Sequence, residues 1–295
     1  MQKNYNLFKI FYPIILAELG LVFIFGTLSF KLCYNYETCT LFFNKPLCII
    51  FIISIILTIA TALCFALMSG DGLRVARIKK DFIFLMVASC FAAIMAFVLF
   101  VFRVIGLGKE DISAFKVIQT LLLLPLGAYF VLNVFSSKNG ENGIKTPKEV
   151  KYALTICAIV WAILGIFSMY FYNEPYFFTN NIFKTTQILI YVAFSALFLF
   201  EARFEHFSPN YKMYIFSAFV SAALTFAFSA GVIIAKISKT VPKAQSLSMA
   251  EVLCSLAIGI YALSRIFALF QTIKYIPQTL PANPPIKIQI DKNDK

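Results

Sequence analysis

Charge is scarce in this chain, and that scarcity excludes an ordinary soluble domain. Charged residues occupy 14% of the 295 positions, and hydrophobic residues occupy 60%. Soluble domains carry about 25% charged residues. The few charges lie mostly in short stretches between long apolar runs, so most of the chain is suited to face lipid or other apolar helices. The composition indicates an integral membrane protein.

Residues and motifs that carry chemistry are scarce as well. The chain has a single histidine, His206, and no HExxH, GxSxG or Lys-containing phosphate loop. One histidine without a neighbouring carboxylate or thiolate cluster does not make a metal site. We therefore expect no enzymatic activity, no metal and no cofactor.

Basic residues outnumber acidic ones by 26 to 14, which gives a net charge of +12. In a soluble protein such an excess suggests a nucleic-acid partner. Here the basic residues flank apolar segments, where they set membrane orientation. The expected environment is the lipid bilayer, with no nucleic acid.

Eight apolar segments are each long enough to cross a bilayer, which takes roughly 20 residues in a helix. They exceed the ~10-residue strands of outer-membrane barrels. We predict an all-α polytopic bundle that forms a single transmembrane domain over residues 1–273, followed by a Pro-rich cytoplasmic tail at 274–295. The predicted spans are 10–31, 47–69, 82–105, 115–136, 152–172, 185–203, 212–235 and 250–273.

Lys and Arg are unevenly divided between the two sides of the predicted bundle. One side collects both termini and the strongly basic loop after the second span, which contains Arg74, Arg77, Lys79 and Lys80; the other side has fewer basic residues, and we count Arg103 among its loop charges. The side richer in positive charge faces the cytoplasm. We predict a multi-pass protein of the cell membrane with both termini cytoplasmic.

Two predicted outer loops are alike. Tyr34-Asn35-Tyr36-Glu37 follows the first span, and Tyr172-Asn173-Glu174 follows the fifth. The likeness suggests a parallel four-plus-four repeat, as in some transporters. Chance similarity in a chain rich in Phe, Tyr and Asn is the alternative.

Glu18 and Arg265 are charged residues inside predicted spans, each about 12 Å from the cytoplasmic end at 1.5 Å per residue. A charge in the bilayer interior is costly, so such residues face the bundle and find partners. Their matched depth predicts a Glu18–Arg265 pair that gates a cavity or holds a substrate. The alternatives are a structural brace, or separate residues, with Arg265 reaching the headgroups.

Cys33 and Cys39 lie in the first predicted outer loop, close enough in sequence to form a small disulfide-closed ring. An oxidising exterior would permit that bond. Two reduced thiols are the alternative, and the nearby Cys48 competes as a partner.

Hydroxyl side chains recur every four residues in the seventh span, at Ser217, Ser221, Thr225 and Ser229. Such a stripe either lines a polar pathway or lets helices pack closely, and the spacing favours close packing. In the fourth span, Pro125 removes a backbone donor and predicts a kink.

A polar cluster of Glu201, Arg203, Glu205 and His206 closes the sixth span. It is suited either to contact a cytosolic partner or anionic headgroups, or to anchor the helix end under the positive-inside rule. Anchoring is the simpler interpretation.

The chain resembles uncharacterised multi-pass membrane proteins of clostridia and related bacteria. The resemblance depends on Tyr36-Glu37-Thr38 after the first span and on Glu201-Ala202-Arg203-Phe204, with Cys39 where a glycine is expected. Lys outnumbers Arg, and the residues Ile, Phe and Asn are all abundant. This usage fits an A+T-rich bacterial genome. The resemblance implies no activity.

Among function classes, the sequence favours a permease or membrane transport component. The scarcity of intramembrane charge argues against ion-coupled transport of polar solutes, which leaves an apolar or amphipathic substrate of unknown identity. The alternative is a non-catalytic membrane sensor, scaffold or assembly partner that binds another membrane or cytosolic protein.

Overall fold

A computed structural model describes most of the chain as α-helices. The described residues are 2–35, 40–41, 45–69, 82–107, 114–138, 147–171, 182–206, 210–237 and 248–274. Within them the helices are α1 (Gln2–Leu32), α2 (Pro46–Met68), α3 (Ile83–Leu107), α4 (Ala114–Leu121), α5 (Leu123–Lys138), α6 (Lys148–Phe171), α7 (Ile182–His206), α8 (Tyr211–Ile237) and α9 (Met249–Lys274). Two short strands, β1 (Tyr34–Asn35) and β2 (Thr40–Leu41), pair antiparallel after α1.

Eight segments are long and apolar enough to cross a membrane, which confirms the predicted polytopic bundle. They are Tyr5–Leu32, Pro46–Met68, Ile83–Gly106, Ala114–Phe135, Glu149–Phe171, Lys184–Arg203, Tyr211–Ile233 and Met249–Gln271. Each overlaps one predicted span almost throughout, because the length of an apolar run directly reports the hydrocarbon thickness it can cross. The Pro-rich tail lies outside the described residues beyond Lys274.

The fourth span is broken into two helices, as Pro125 predicts. α4 ends at Leu121, Leu122 is a turn, and α5 begins at Leu123. Proline has no N–H to donate, and its ring crowds the carbonyl of the residue four positions earlier, here Leu121. The break therefore falls where the proline disturbs the helix.

Helices α8 and α9 form the centre of the bundle and pack against each other. α1 and α2 pack together on α8, and α3 packs on both α5 and α9. α7 packs on α8, while α6 lies between α7 and the α4–α5 pair. α1 and α2 are the most lipid-exposed spans, with only 22% of their apolar windows buried.

The two halves of the chain pack differently. In the second half, α6, α7, α8 and α9 are each packed against the next helix along the chain. In the first half, α1 pairs with α2, and α3 pairs with α5, but these pairs are anchored on different central helices. This packing lends no support to the four-plus-four repeat, which stays a prediction.

For orientation, the outer end of the bundle is defined here as the end where α9 begins at Met249. The inner end is where α9 ends at Lys274. These names follow the orientation that the basic loops predict.

The contact between α1 and α8 depends on the absence of a side chain at Gly26. A Cβ atom there would lie 2.6 Å from the carbonyl oxygen of Ala227. We expect Gly26→Leu to destabilise the protein by about 1–3 kcal/mol through overpacking. Gly20→Leu is the matched control, since nothing lies within 4 Å of that position. Unfolding in detergent measures both, and equal stability of the two variants would contradict the packing described.

Candidate functional site

At the outer end, a buried ion pair joins α3 to α9. Arg103 Nη2 lies 2.8 Å from Glu251 Oε1, and the two side chains are 7% and 13% exposed. Arg103 also donates to Gln119 Oε1 at 2.8 Å and to the Tyr191 hydroxyl at 3.4 Å. This outer cluster therefore connects four helices, α3, α4, α7 and α9, through one guanidinium group.

The start of α9 positions the carboxylate of Glu251. Ser248 and Glu251 form a reciprocal capping box: the Glu251 N–H donates to Ser248 Oγ at 3.1 Å, and the Ser248 N–H donates to Glu251 Oε2 at 3.3 Å. One carboxylate oxygen thus caps the helix while the other meets Arg103. The helix N-terminus also favours a negative charge at this position.

The outer cluster contains more buried donors than acceptors. Arg103 Nε, Trp161 Nε1 and Gln187 Nε2 have no hydrogen-bond acceptor among the described residues. Trp161 packs edge-on against Tyr191 with ring centres 5.4 Å apart, and Gln187 lies one helical turn from Tyr191 on α7. An uncompensated buried donor costs about 1–3 kcal/mol, so these groups favour an acceptor beside them.

A glycine makes room for the outer cluster. A Cβ atom on Gly165 of α6 would lie 2.6 Å from Gln119 Nε2 and 2.8 Å from the Tyr191 ring. With no side chain there, Gln119 reaches the carbonyl oxygen of Trp161 at 3.5 Å. The glycine therefore holds open the position from which Gln119 contacts Arg103.

At the inner end, a second buried ion pair joins α7 to α9. Arg265 Nη2 lies 2.6 Å from Glu201 Oε1, and the two side chains are 6% and 0% exposed. The Tyr261 hydroxyl donates to the same carboxylate oxygen at 2.8 Å and accepts from Asn133 Nδ2 at 3.2 Å. The Tyr129 hydroxyl lies 3.2 Å from that of Tyr261. This inner cluster connects α5, α7 and α9.

Between the two clusters, the bundle is filled by apolar side chains. On α9, Glu251 and Arg265 are about 21 Å apart along the helix axis at 1.5 Å per residue. The buried middle layer that separates them consists of Leu126, Phe130, Ala158, Ala162, Phe194, Leu197, Phe198, Ala257 and Ile258. α9 contacts α5 through aromatic side chains: the ring centres of Phe130 and Tyr261 are 4.9 Å apart.

The structure gives Glu18 and Arg265 different partners, which corrects the pair expected from their depth. Glu18 Oε1 accepts a hydrogen bond from Thr61 of α2 at 2.9 Å, and its side chain is only partly buried. Arg265 pairs with Glu201, which lies at a similar depth on α7. Depth alone does not select the partner, because α1 turns Glu18 toward α2.

The hydroxyl stripe on α8 is used in helix contacts. Ser221 Oγ donates to the carbonyl oxygen of Ala193 on α7 at 3.1 Å, and Ser217 and Thr225 donate within α8. Ser229 is buried as well. Only the Ser221 bond reaches a neighbouring helix, and the burial of all four side chains is the observation that agrees with close packing.

The two cysteines expected to pair are not both described. Cys39 lies outside the described residues, and Cys33 is a buried free thiol. Cys48, also a free thiol, lies in the same buried cluster as Cys33. The Cys33–Cys39 bond stays a prediction.

Two charged residues of the site were misjudged from sequence. Glu201 is fully buried rather than part of an anchoring surface cluster, whereas Arg203 is exposed; the side chains of Glu205 and His206 lie outside the described residues. Arg103 was counted as an outer-loop charge, yet it is buried. The Ser248–Glu251 spacing was the one sequence signal that could have placed Glu251 at a helix start.

Comparisons with known proteins add no assignment. The chain matches no protein-family model, no curated protein and no solved structure. Across the described ranges, no three His, Cys, Asp or Glu side chains are grouped so that they could hold a metal ion. The resemblance to clostridial membrane proteins therefore stays a prediction.

Removing one partner of the inner ion pair leaves an uncompensated buried charge. We expect Glu201→Gln and Arg265→Met each to lower the free energy of unfolding by about 3–5 kcal/mol, and the double variant to recover most of that loss. Unfolding in mixed SDS micelles, arranged as a double-mutant cycle, measures the coupling.

The matched control combines Arg265→Met with Glu18→Gln. Because Glu18 bonds to Thr61 instead, the two changes should add without coupling. Coupling of Arg265 to Glu18 rather than to Glu201 would contradict the arrangement of the inner cluster.

Proposed function

We propose that this protein is a membrane transport component for an apolar or amphipathic substrate, with the two buried ion pairs as its gates. One observation carries the proposal: α9 contributes Glu251 to the outer pair and Arg265 to the inner pair, and the partners lie on different helices. Breaking either pair alone releases only one end of α9.

The arrangement permits alternating opening of the two ends. When the outer pair separates, α9 is freed from Arg103 on α3 while Arg265 still holds it to Glu201 on α7. When the inner pair separates, α9 is freed from Glu201 on α7 while Glu251 still holds it to Arg103 on α3. A bundle that opens at one end at a time exposes its middle layer to each side in turn, as alternating access requires.

The substrate class follows from what lies between the gates. The middle layer consists of aromatic and aliphatic side chains, and each ion pair is neutral as a unit. The surplus donors of the outer cluster suit an acceptor on the polar end of an amphipathic molecule. No catalytic role is assigned to any of these side chains.

The bundle contains more intramembrane charge than the sequence predicts, because Glu201 and Glu251 are carboxylates inside membrane-spanning segments. Both are compensated by arginine, so neither serves as a free ion site while its pair is intact. The proposal therefore includes no coupling ion.

Glu18 favours a second candidate function, assembly with another membrane protein. Its carboxyl group lies on the lipid-exposed α1–α2 pair and is only partly buried. A polar group at this depth is stabilised by a neighbouring protein helix, which supports a scaffold or assembly role.

Thiol labelling of the middle layer tests the gates. Leu197→Cys, in a background with the native cysteines replaced, places one thiol between the two ion pairs. A membrane-impermeant maleimide is applied to intact cells or to inside-out vesicles. We expect Arg103→Gln to raise labelling at least about tenfold from the outer side only, and Glu201→Gln to raise it from the inner side only.

Val192→Cys is the control, since this residue lies on the same helix but faces lipid. Its labelling should not respond to either gate variant. If neither variant exposes Leu197→Cys, the bundle stays closed, the gate proposal fails, and assembly becomes the favoured function.

A further inference from the structure

Two buried thiols meet at the outer end of the α1–α2 pair. Cys33 directly follows α1, and Cys48 lies in the first turn of α2. Their relative exposures are 2% and 0%, and both side chains belong to the same buried cluster. Fifteen positions apart in sequence, they are neighbours in space.

Several bonds hold these two chain segments together independently of the thiols. Ser29 Oγ donates to the carbonyl oxygen of Leu47 at 3.3 Å, and Lys45 Nζ donates to that of Leu32 at 3.2 Å. The Cys33 N–H donates to the Ser29 carbonyl oxygen at 2.8 Å. The two side-chain bonds keep the end of α1, with Cys33, beside the start of α2, with Cys48.

The surroundings of the thiols are apolar and tightly packed. Cys33 and Cys48 belong to one buried cluster with Phe30, Tyr34 and Phe51. The pairing of β1 with β2 places Tyr34 opposite Leu41, which closes the chain back over this cluster. A covalent bond formed here would be shielded from reductants.

We propose that Cys33 and Cys48 form a disulfide that covalently joins α1 to α2 at the outer face. A bond between these residues competes directly with the Cys33–Cys39 bond expected from sequence spacing. The proposal is independent of the transport function. It places the bond on the side that the basic loops predict to be outside the cell, where disulfides persist.

The electrons pass to an external disulfide, of a small molecule or of a thiol–disulfide oxidoreductase. One cysteine thiolate attacks that disulfide, releases one oxidant thiol and forms a mixed disulfide. The second cysteine thiolate then attacks the mixed disulfide and releases the other oxidant thiol. Two protein thiols become one disulfide, and the oxidant disulfide becomes two thiols. The exchange takes place while the α1–α2 pair forms, before the aromatic cluster covers both sulfur atoms.

Mass spectrometry of the full-length protein tests the bond. Membranes from cells with an oxidising outer face are dissolved in SDS that contains N-ethylmaleimide, so that buried free thiols are alkylated as well, and the protein is digested without reductant. We expect a linked peptide that contains Cys33 and Cys48. It should be absent from Cys48→Ser and retained in Cys39→Ser.

A stability measurement provides the second readout. Reductant that is present throughout the heating scan reaches the bond as the α1–α2 pair opens, and it should lower the thermal unfolding midpoint in detergent by several degrees for the wild type and for Cys39→Ser, with no shift for Cys48→Ser. Recovery of Cys33 and Cys48 as maleimide adducts, or a Cys33–Cys39 link, would overturn the proposal. If Cys48→Ser does not fold, the wild type and Cys39→Ser still decide the outcome.

Discussion

The cost of charge inside a membrane governs the arrangement of this bundle. α9 carries Glu251 near its outer end, where the side chain is 13% exposed, and the buried Arg265 toward its inner end. Each charge requires an opposite charge from a neighbouring helix. Arg103 on α3 compensates Glu251, and Glu201 on α7 compensates Arg265. The two ion pairs thus link α9 to α3 and α7, in addition to its packing against α8, and the proposed gating uses these ionic contacts.

Much of the fold could be predicted from the sequence, because hydropathy over roughly 20 residues reports directly on membrane crossing. The eight spans and the break near Pro125 follow from such local properties. Which helices are neighbours cannot be predicted from such local properties, because lipid-facing and helix-facing residues are equally apolar in a membrane protein. For this reason, the central position of α8 and α9 could not be read from composition.

The ion-pair partners in the candidate site likewise could not be predicted from the sequence, because they depend on which helices are neighbours. Arg265 was identified as an intramembrane charge, yet its partner was not, because Glu18 and Glu201 both lie at suitable depths. Only helix packing distinguishes them: α1 directs Glu18 to Thr61, and α7 presents Glu201 to α9. Arg103 was assigned to a loop because it lies in the last two turns of α3, where a charge usually reaches the headgroups.

The central claim is that each ion pair holds one end of α9 independently. Spin labels on Arg203 and Gln271 report the distance between α7 and α9 at the inner end, and labels on Ile105 and Met249 report the outer end. Pulsed electron paramagnetic resonance should give one distance at each end in the wild type. In Glu201→Gln, we expect a second, longer distance at the inner end and no change at the outer end. Unchanged distances at both ends, or equal changes at both, would contradict the account.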